Sequence, residues 1–503
     1  MSKTEIKFGT DGWRAIIGRD YTYENVRKVI QAWCDVFLLG GGTPKRVPPS
    51  DASLPPPPGN LVARSKSGQL ELDHKPVVVL GYDRRFSSDL FAQEAACVLA
   101  ANGISVLLSE TFCPTPCVSW LTKETKALAG VVITASHNPF QWNGVKFKES
   151  YGGSASPEYC QKIEEQIVKN DAASKIPLLI SFEEAQKKNL IEFFDPLSYV
   201  EHLRTLVNIQ AIRKSNLKIA VDPIYGAGSG FIAEVLGQEV VEIRSDANPG
   251  FGGVNPEPIE KNLKALIKIV RTEKCDIGLA TDGDADRIGA VDEKGNFIDS
   301  HKIFSLILRH LVLQKNKKGD VVTTVSTTQM VRRLCQKFDL PIHETPIGFK
   351  YICQKFVESE NPLMGGEESG GLGICHHVYE RDGILSGLLL LDIMAVYKKP
   401  ISEIIADLQK EVGPLEFVRE DLHVPQEKIA AIKEKLSKNP PQTLIGKKIA
   451  QNNFKDGFKF LMEDDSWLLI RPSGTEPLLR IYAEAPSFEI AHQYIEEAKK
   501  LIA

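Results

Sequence analysis

Seven short apolar runs, most of them rich in β-branched residues, recur between residues 77 and 325, and each ends in a polar loop. VVVL (77–80), SVLL (105–108), AGVVIT (129–134), LKIAV (217–221), VVEI (240–243), DIGLAT (276–281) and VVTTV (321–325) have the length and composition of buried strands. Helical patterns follow several of them, as at 88–102 and 230–236. This alternation predicts α/β units on mostly parallel sheets. The end of the chain differs. FKFL, SWLLIR and LLRIYAEA read as strands separated by turns, and a helix is expected over 487–501. That pattern predicts a smaller C-terminal α+β domain with antiparallel pairing. A chain of 503 residues has room for three or four domains. Polar and Gly/Pro stretches place them at 1–195, 196–297, 298–413 and 414–503.

Composition removes several classes of function. Lys and Arg number 61 against 65 Asp and Glu, a net charge of −4, which disfavours nucleic-acid binding. The nine cysteines form no C-x-x-C pair, so neither a zinc site nor a disulfide framework is indicated, and a reducing compartment is expected. The start of the chain has no apolar signal segment. The run ILSGLLLLDIMAV (384–396) contains Asp392 and falls short of the roughly 20 residues of a membrane span, so it reads as a buried helix. A soluble, cytoplasmic protein without a membrane partner is expected, and the sequence favours neither a monomer nor a dimer. Residues 40–75 break the globular pattern: seven prolines lie between Pro44 and Pro58. Such a stretch reads as a surface insertion, extended or disordered, with docking to a proline-recognising partner as the alternative.

In open α/β sheets ligands bind beyond the C-terminal ends of strands, so the loops there carry the functional question. AGVVIT runs into Ala135, Ser136, His137, Asn138 and Pro139. An exposed serine on a tight loop could carry a phosphate or act as a nucleophile, or the segment could be a plain polar turn. Adjacent Ser and His side chains are expected to diverge, which argues against a hydrolase pair, and no G-x-S-x-G is present. DIGLAT runs into Asp282, Asp284, Asp286 and Arg287. Carboxylates ~4 Å apart repel by about 4 kcal/mol per pair at an effective dielectric of ~20, a cost a hard divalent cation would remove. An EF-hand pattern can be laid over this loop, but Arg287 stands where that loop needs glycine, and the flanks read as strands. GGEESGG (365–371) offers Glu367, Glu368 and Ser369 on a glycine-rich turn suited to a polyol. RPSGTEP (471–477) offers Arg471, Ser473, Gly474 and Thr475 in an arrangement that fits a phosphate. Gly226, Gly228 and Gly230 do not match the dinucleotide spacing and read as a tight turn.

Taken in order, FGTDGWR (8–14), TASHNP (134–139), DGDADR (282–287), GEESGG (366–371) and RPSGTEP (471–477) resemble the motifs of the α-D-phosphohexomutase superfamily. The resemblance covers nearly all of the chain outside the proline-rich stretch. It implies four domains around a central cleft, the first three similar α/β domains with mixed, mostly parallel sheets and the fourth smaller, each contributing one loop. It implies that Ser136 is the phosphoserine and that Asp282, Asp284 and Asp286 hold Mg²⁺ together with that serine. Glu367 and Ser369 would bind sugar hydroxyls, and Arg471, Ser473, Gly474 and Thr475 would bind the phosphate on the sugar. Arg14, His137, Lys146 and Arg287 match positions near the reacting phosphate, and Lys146, Lys350 and His137 are the candidates for proton transfer. The implied partners are hexose phosphates, with glucose 1,6-bisphosphate as intermediate and activator. An intermediate that must turn around implies a mobile fourth domain. GEESGG and ETPIGFK (344–350) resemble glucose-type forms, and TASHNP rather than SASHNP leans away from glucosamine. The expectation is therefore interconversion of glucose 1-phosphate and glucose 6-phosphate, with mannose phosphates next. A metal-dependent phosphatase and a non-catalytic sugar-phosphate sensor are the rival classes.

Overall fold

The structure is a computed structural model that describes residues 5–9, 11–38, 76–472 and 478–502. The proline-rich stretch and Ser473, Gly474 and Thr475 lie outside the described residues.

The apolar runs form the strands expected of them, in four sheets. The first is ordered Trp13–Ile16, Trp142–Glu149, Ala129–Ile133, Val77–Tyr82, Ser105–Ser109, Ile191–Phe194. Its last four strands run parallel, and Trp142–Glu149 turns back against Ala129–Ile133. The second sheet repeats this plan. Val241–Glu242, Ile219–Asp222 and Ile277–Thr281 are parallel, and Ile288–Asp292 returns antiparallel. In the third, Ile342–Thr345, Asp320–Thr324 and Pro362–Gly366 are parallel, and Leu372–Ile374 returns antiparallel. The fourth sheet is antiparallel throughout, from Glu416–His423 to Thr443–Leu444.

This topology decides where the motif loops sit. TASHNP, DGDADR and EESGG each connect a parallel strand to the antiparallel strand that follows it in the chain. A hairpin connection of this kind lies beyond the C-terminal end of a parallel strand, the position open α/β sheets use for ligands. The strands Trp467–Pro472 and Leu478–Ala485, which flank residues 473–477 in the chain, are neighbours in the fourth sheet. The EF-hand alternative fails here, since strands rather than helices flank the acidic loop.

One apolar core runs through the first three sheets, joining Val79, Trp120, Leu279, Ile288, Val321 and Met364. The run 384–396 lies at its centre, as the helix Gly383–Tyr397, which is buried through Ala395. Asp392 survives inside it because His310 Nε2 lies 3.2 Å away and Lys315 Nζ 2.6 Å away, so the buried carboxylate is paired. The fourth sheet has a separate core against the helices Gln426–Lys438 and Phe488–Ile502. It meets the third through Trp467, Leu469 and Tyr482, packed with Val325.

Candidate active site

Arg85 organises the serine loop. It follows the strand Val77–Tyr82, and its guanidinium donates to the carbonyls of Ser136 (2.6 Å), Asn138 (2.7 Å), Pro139 (2.9 Å) and Trp142 (3.0 Å). Asp83 holds that guanidinium at 3.0 Å and accepts the Thr134 hydroxyl at 2.6 Å, and Thr134 Oγ1 in turn accepts the Ser136 N–H at 2.9 Å. The loop is thereby pulled into a shape that sets Ser136 at φ +53°, a conformation that costs energy for a residue with a Cβ. Neither Asp83 nor Arg85 was among the residues the sequence pointed to.

The serine and the acidic loop touch. Ser136 Oγ donates to Asp282 Oδ2 at 2.8 Å, and both residues are buried. The approach depends on Gly283, where an added Cβ would lie 2.4 Å from the Ser136 carbonyl oxygen. From the other side the turn at Gly226–Gly228 braces the acidic loop, with Ala227 N donating to Gly283 O at 2.9 Å. At Gly226 a Cβ would stand 2.8 Å from Asp282 O. The glycine cluster is thus a tight turn, as expected, and its use is to support the acidic loop. His137 departs from expectation. Its Nδ1 lies 3.5 Å from Ser136 Oγ, so the adjacent side chains converge. The hydroxyl nevertheless gives its proton to Asp282, so no hydrolase-like pair forms.

Asp282, Asp284 and Asp286 present ligand oxygens all within 4.8 Å of one another. Asp284 Oδ1 and Asp286 Oδ1 are buried and accept no hydrogen bond. Two orphaned carboxylate oxygens in one cluster suit a hard divalent cation, so the residues present fit a metal such as Mg²⁺. The remaining oxygens are held in place. Asp282 Oδ1 accepts the N–H groups of Asp286 and Arg287, and Asp284 Oδ2 accepts the Thr115 hydroxyl at 2.5 Å. Burial, with Asp286 and Asp284 alongside, pushes the Asp282 carboxyl well above its ordinary pKa. Burial also opposes the charge of Asp284, but Lys146 and Thr115 outweigh it and hold that carboxyl below the usual range.

Lys146 Nζ sits 2.8 Å from Asp11, 2.8 Å from Asp284 and 2.9 Å from Asp286. Burial works against its charge, yet these carboxylates raise its pKa, so it stands as an ammonium. His137 is the reverse case. Burial, with Arg287, Arg14, Lys146 and Arg85 around it, holds the imidazole well below its ordinary value and keeps it neutral. Arg14 donates to Asn138 Oδ1 at 2.7 Å. Arg287 lies 3.9 Å from Asp282 and Asp286.

The GEESGG loop is stitched to the acidic loop through the backbone. Ile288 N donates to Gly370 O at 3.0 Å, and Arg287 bridges to Gly371. Glu367 is 6% exposed, and burial pushes its carboxyl up to about 7, with Arg381 working in the other direction. Arg381, absent from the sequence reading, reaches Asp286 at 2.7 Å, Asp11 at 2.5 Å and Glu367 at 3.5 Å. Ser369 is half-buried in the same loop. Lys350 is not brought to this centre. It lies on the helix Phe349–Glu358 with Nζ 5.4 Å over the Tyr351 ring, and among the described residues it pairs with no carboxylate of the acidic loop. Arg471 is held by Asp456 at 2.9 Å, at the end of its own strand.

Glu367 gives a pH test. Its folded pKa of about 7 exceeds the ordinary 4.5, so its contribution to stability is complete below 4.5 and is lost as pH rises through 7. The loss amounts to about 3 kcal/mol. Metal-free Glu367→Gln is expected to keep this stability, raising Tm over the wild type at pH 8 but not at pH 4.5. Parallel Tm–pH curves for the two proteins would refute the assignment.

Comparison with known proteins bears on the same residues. Four family models match in order: phosphoglucomutase/phosphomannomutase α/β/α domain I over 61–174, domain II over 197–295, domain III over 299–412 and the C-terminal domain over 421–501. A Thermococcus kodakarensis protein named phosphoglucomutase/phosphomannomutase is 34% identical over 433 residues, 85% of this chain and 90% of the relative. A Carboxydothermus hydrogenoformans protein named phosphoglucosamine mutase is 30% identical over 97% of both chains. Among solved structures, one described as a phosphomannomutase from Thermus thermophilus superposes with a TM-score of 0.80 at 30% identity, over 99% of both chains. The open form of Paramecium parafusin shares the fold at a TM-score of 0.79 and 20% identity, over 99% of this chain and 95% of its own.

Proposed function

The chain belongs to the phosphoglucomutase/phosphomannomutase family of the α-D-phosphohexomutase superfamily, and on that premise we propose that it interconverts glucose 1-phosphate and glucose 6-phosphate through a phosphoserine at Ser136. The observation that carries this reading is the contact of a buried serine hydroxyl, 2.8 Å from Asp282, with a cluster of three carboxylates. A phosphoserine brings about −1.5 to −2 charges, which beside three aspartates requires a cation. Asp282, Asp284 and Asp286 would hold Mg²⁺, and the ion supplies neutralising charge to the phosphoryl oxygens when bound.

The residues of the chain divide the remaining work. In the forward half-reaction the P–Oγ bond of Ser136 breaks as a bond forms from phosphorus to a sugar hydroxyl oxygen. The hydroxyl proton leaves to a base, and Ser136 Oγ gains a proton. His137, neutral and 3.5 Å from Oγ, is suited to accept a proton, and the Lys146 ammonium to offset charge or to donate one. Arg14 and Arg287 would orient the phosphoryl oxygens. Glu367 and Ser369 would take the sugar hydroxyls, and Arg471, with Ser473, Gly474 and Thr475, the distal phosphate. Glucose 1,6-bisphosphate would then turn and return its other phosphate to Ser136.

GEESGG and ETPIGFK favour glucose. Relatives named phosphoglucosamine mutase and phosphomannomutase support a second reading, in which an amino sugar or mannose phosphate is preferred. Phosphorus NMR of purified protein with Mg²⁺, trace glucose 1,6-bisphosphate and the 1-phosphates of glucose, mannose and glucosamine decides between them. The expected result is a kcat/KM for glucose at least about tenfold above the others, ~1.4 kcal/mol in the transition state. An equal or higher value for either competitor would overturn the glucose assignment. Release of inorganic phosphate at the rate of turnover would point to a phosphatase instead.

A further inference from the structure

The turn between the strands Lys447–Asn453 and Phe458–Met462 grips a segment of the third sheet's layer. Asn453 Nδ2 donates to Glu344 Oε1 at 2.5 Å, Lys455 Nζ donates to the Glu344 carbonyl at 3.2 Å, and Ile347 N donates to Asp456 Oδ2 at 2.9 Å. The gripped residues end the strand Ile342–Thr345 and lead into the helix that carries Lys350. The second oxygen of Asp456, Oδ1, accepts from Arg471 Nε at 2.9 Å.

An Asp-Gly pair on a hairpin is ordinarily explained by the turn itself, and Gly457 does sit at φ +96°. That account leaves the carboxylate unexplained. Among the described residues it bonds no group of its own turn, and it spends one oxygen on the third sheet's loop and the other on the arginine at the end of the strand Trp467–Pro472.

We propose that Asp456 is a positioning residue that locks the 344–347 loop and the Arg471 guanidinium into one register, so that the sugar end and the phosphate end of the cleft close together. The inference rests on the reading of Arg471 as a ligand of the distal phosphate. Its consequence concerns the doubly phosphorylated intermediate, which must be retained while it turns. With Asp456 intact, the fourth domain stays tied to the third through a two-sided, charge-assisted link. Without it, Arg471 can still meet phosphate but is no longer coupled to the loop, so the intermediate escapes more often.

The test uses the full chain with Asp456→Ala and Asp456→Asn, both first checked by thermal unfolding. In ligand-free protein, amide hydrogen exchange at Ile347 is expected to rise about tenfold or more in Asp456→Ala. Asp456→Asn retains an acceptor for Ile347 but presents an N–H to Arg471, so its exchange stays near the wild type. Both variants are expected to show KM for glucose 1-phosphate raised about tenfold, with kcat at saturating substrate and added bisphosphate within about threefold of wild type. Bisphosphate released per turnover, read by phosphorus NMR without added activator, is expected to rise about tenfold in both. A merely structural aspartate would lower Tm without changing bisphosphate release. Wild-type KM and wild-type release in Asp456→Ala would overturn the inference, as would unchanged exchange at Ile347. Wild-type turnover is measured first, so an enzyme inactive on glucose phosphates fails the substrate reading, whereas an active enzyme indifferent to Asp456 fails this one.

Discussion

Ser136→Ala is expected to emerge from purification without phosphate and to lose at least about 10⁴-fold in kcat, while the wild type carries one phosphoryl group on that residue. Intact-protein mass before and after incubation with glucose 1,6-bisphosphate, and turnover by phosphorus NMR, read the two effects. The size of the loss follows from the loop. Among the described residues, Oγ contacts Asp282, a candidate metal ligand, at 2.8 Å and His137 at 3.5 Å, and the proposed reading gives each of them another task. The substitution removes one oxygen and leaves the backbone restraints on the loop, from Arg85 and Thr134, in place. Tm is therefore expected to change by only a few degrees, about what loss of one buried hydrogen bond brings. Appreciable turnover by a phosphate-free variant would refute the role assigned to Ser136.

Arg381→Met is expected to destabilise the fold by about 3–5 kcal/mol in metal-free buffer near neutral pH, read from the urea midpoint. Arg381 is 3% exposed and stands within 3.5 Å of Asp11, Asp286, Glu367 and Glu380. These residues come from the first, second and third layers of the molecule, so the guanidinium closes a charge balance that no single layer achieves. Its removal leaves carboxylates in a desolvated site with too few cations, the costly way to break a buried ion pair. Two modulations identify the cause. Millimolar Mg²⁺ is expected to recover part of the loss by supplying positive charge to Asp286, and lowering the pH is expected to recover part by protonating Glu367. Arg381→Lys is expected to fall between the two, because an ammonium cannot span the carboxylates that a planar fork reaches. A loss under about 0.5 kcal/mol, or one indifferent to Mg²⁺ and pH, would show that the network is not a stability element.

Several features were legible because their signal is local. An apolar run ending in a polar loop announces both a strand and the loop beyond its end, and the strands before the acidic loop and before GEESGG were legible that way. The buried helix Gly383–Tyr397 was legible from uninterrupted apolar character. Other features had no local signal. Asp83 and Arg85 sit in an ordinary-looking GYDRRF, and their function shows only in the fold: Arg85 holds four carbonyls of a loop some 50 residues on, and Asp83 holds Arg85 and the Thr134 hydroxyl. Thr115 lies in a proline-flanked helix start, yet its hydroxyl holds Asp284, 169 residues away in sequence. Lys350 had the right residue type in a recognisable segment, and the helix that carries it leaves its ammonium away from the acidic loop.

The division follows from the range of the forces. Strand and helix preference, turn chemistry and the mutual repulsion of closely spaced carboxylates act over a few residues, so the sequence alone determined the sheet-forming segments, the family and the acidic cluster suited to a cation. The balance of buried charge among Asp11, Lys146, Asp284, Asp286 and Arg381 depends on which layers meet and at what distance, a matter of desolvation and Coulomb energy between residues up to 370 positions apart. Only the tertiary structure could decide that Arg381 completes the site, that His137 turns toward Ser136, and that one aspartate on a distant hairpin holds both a backbone amide and an arginine.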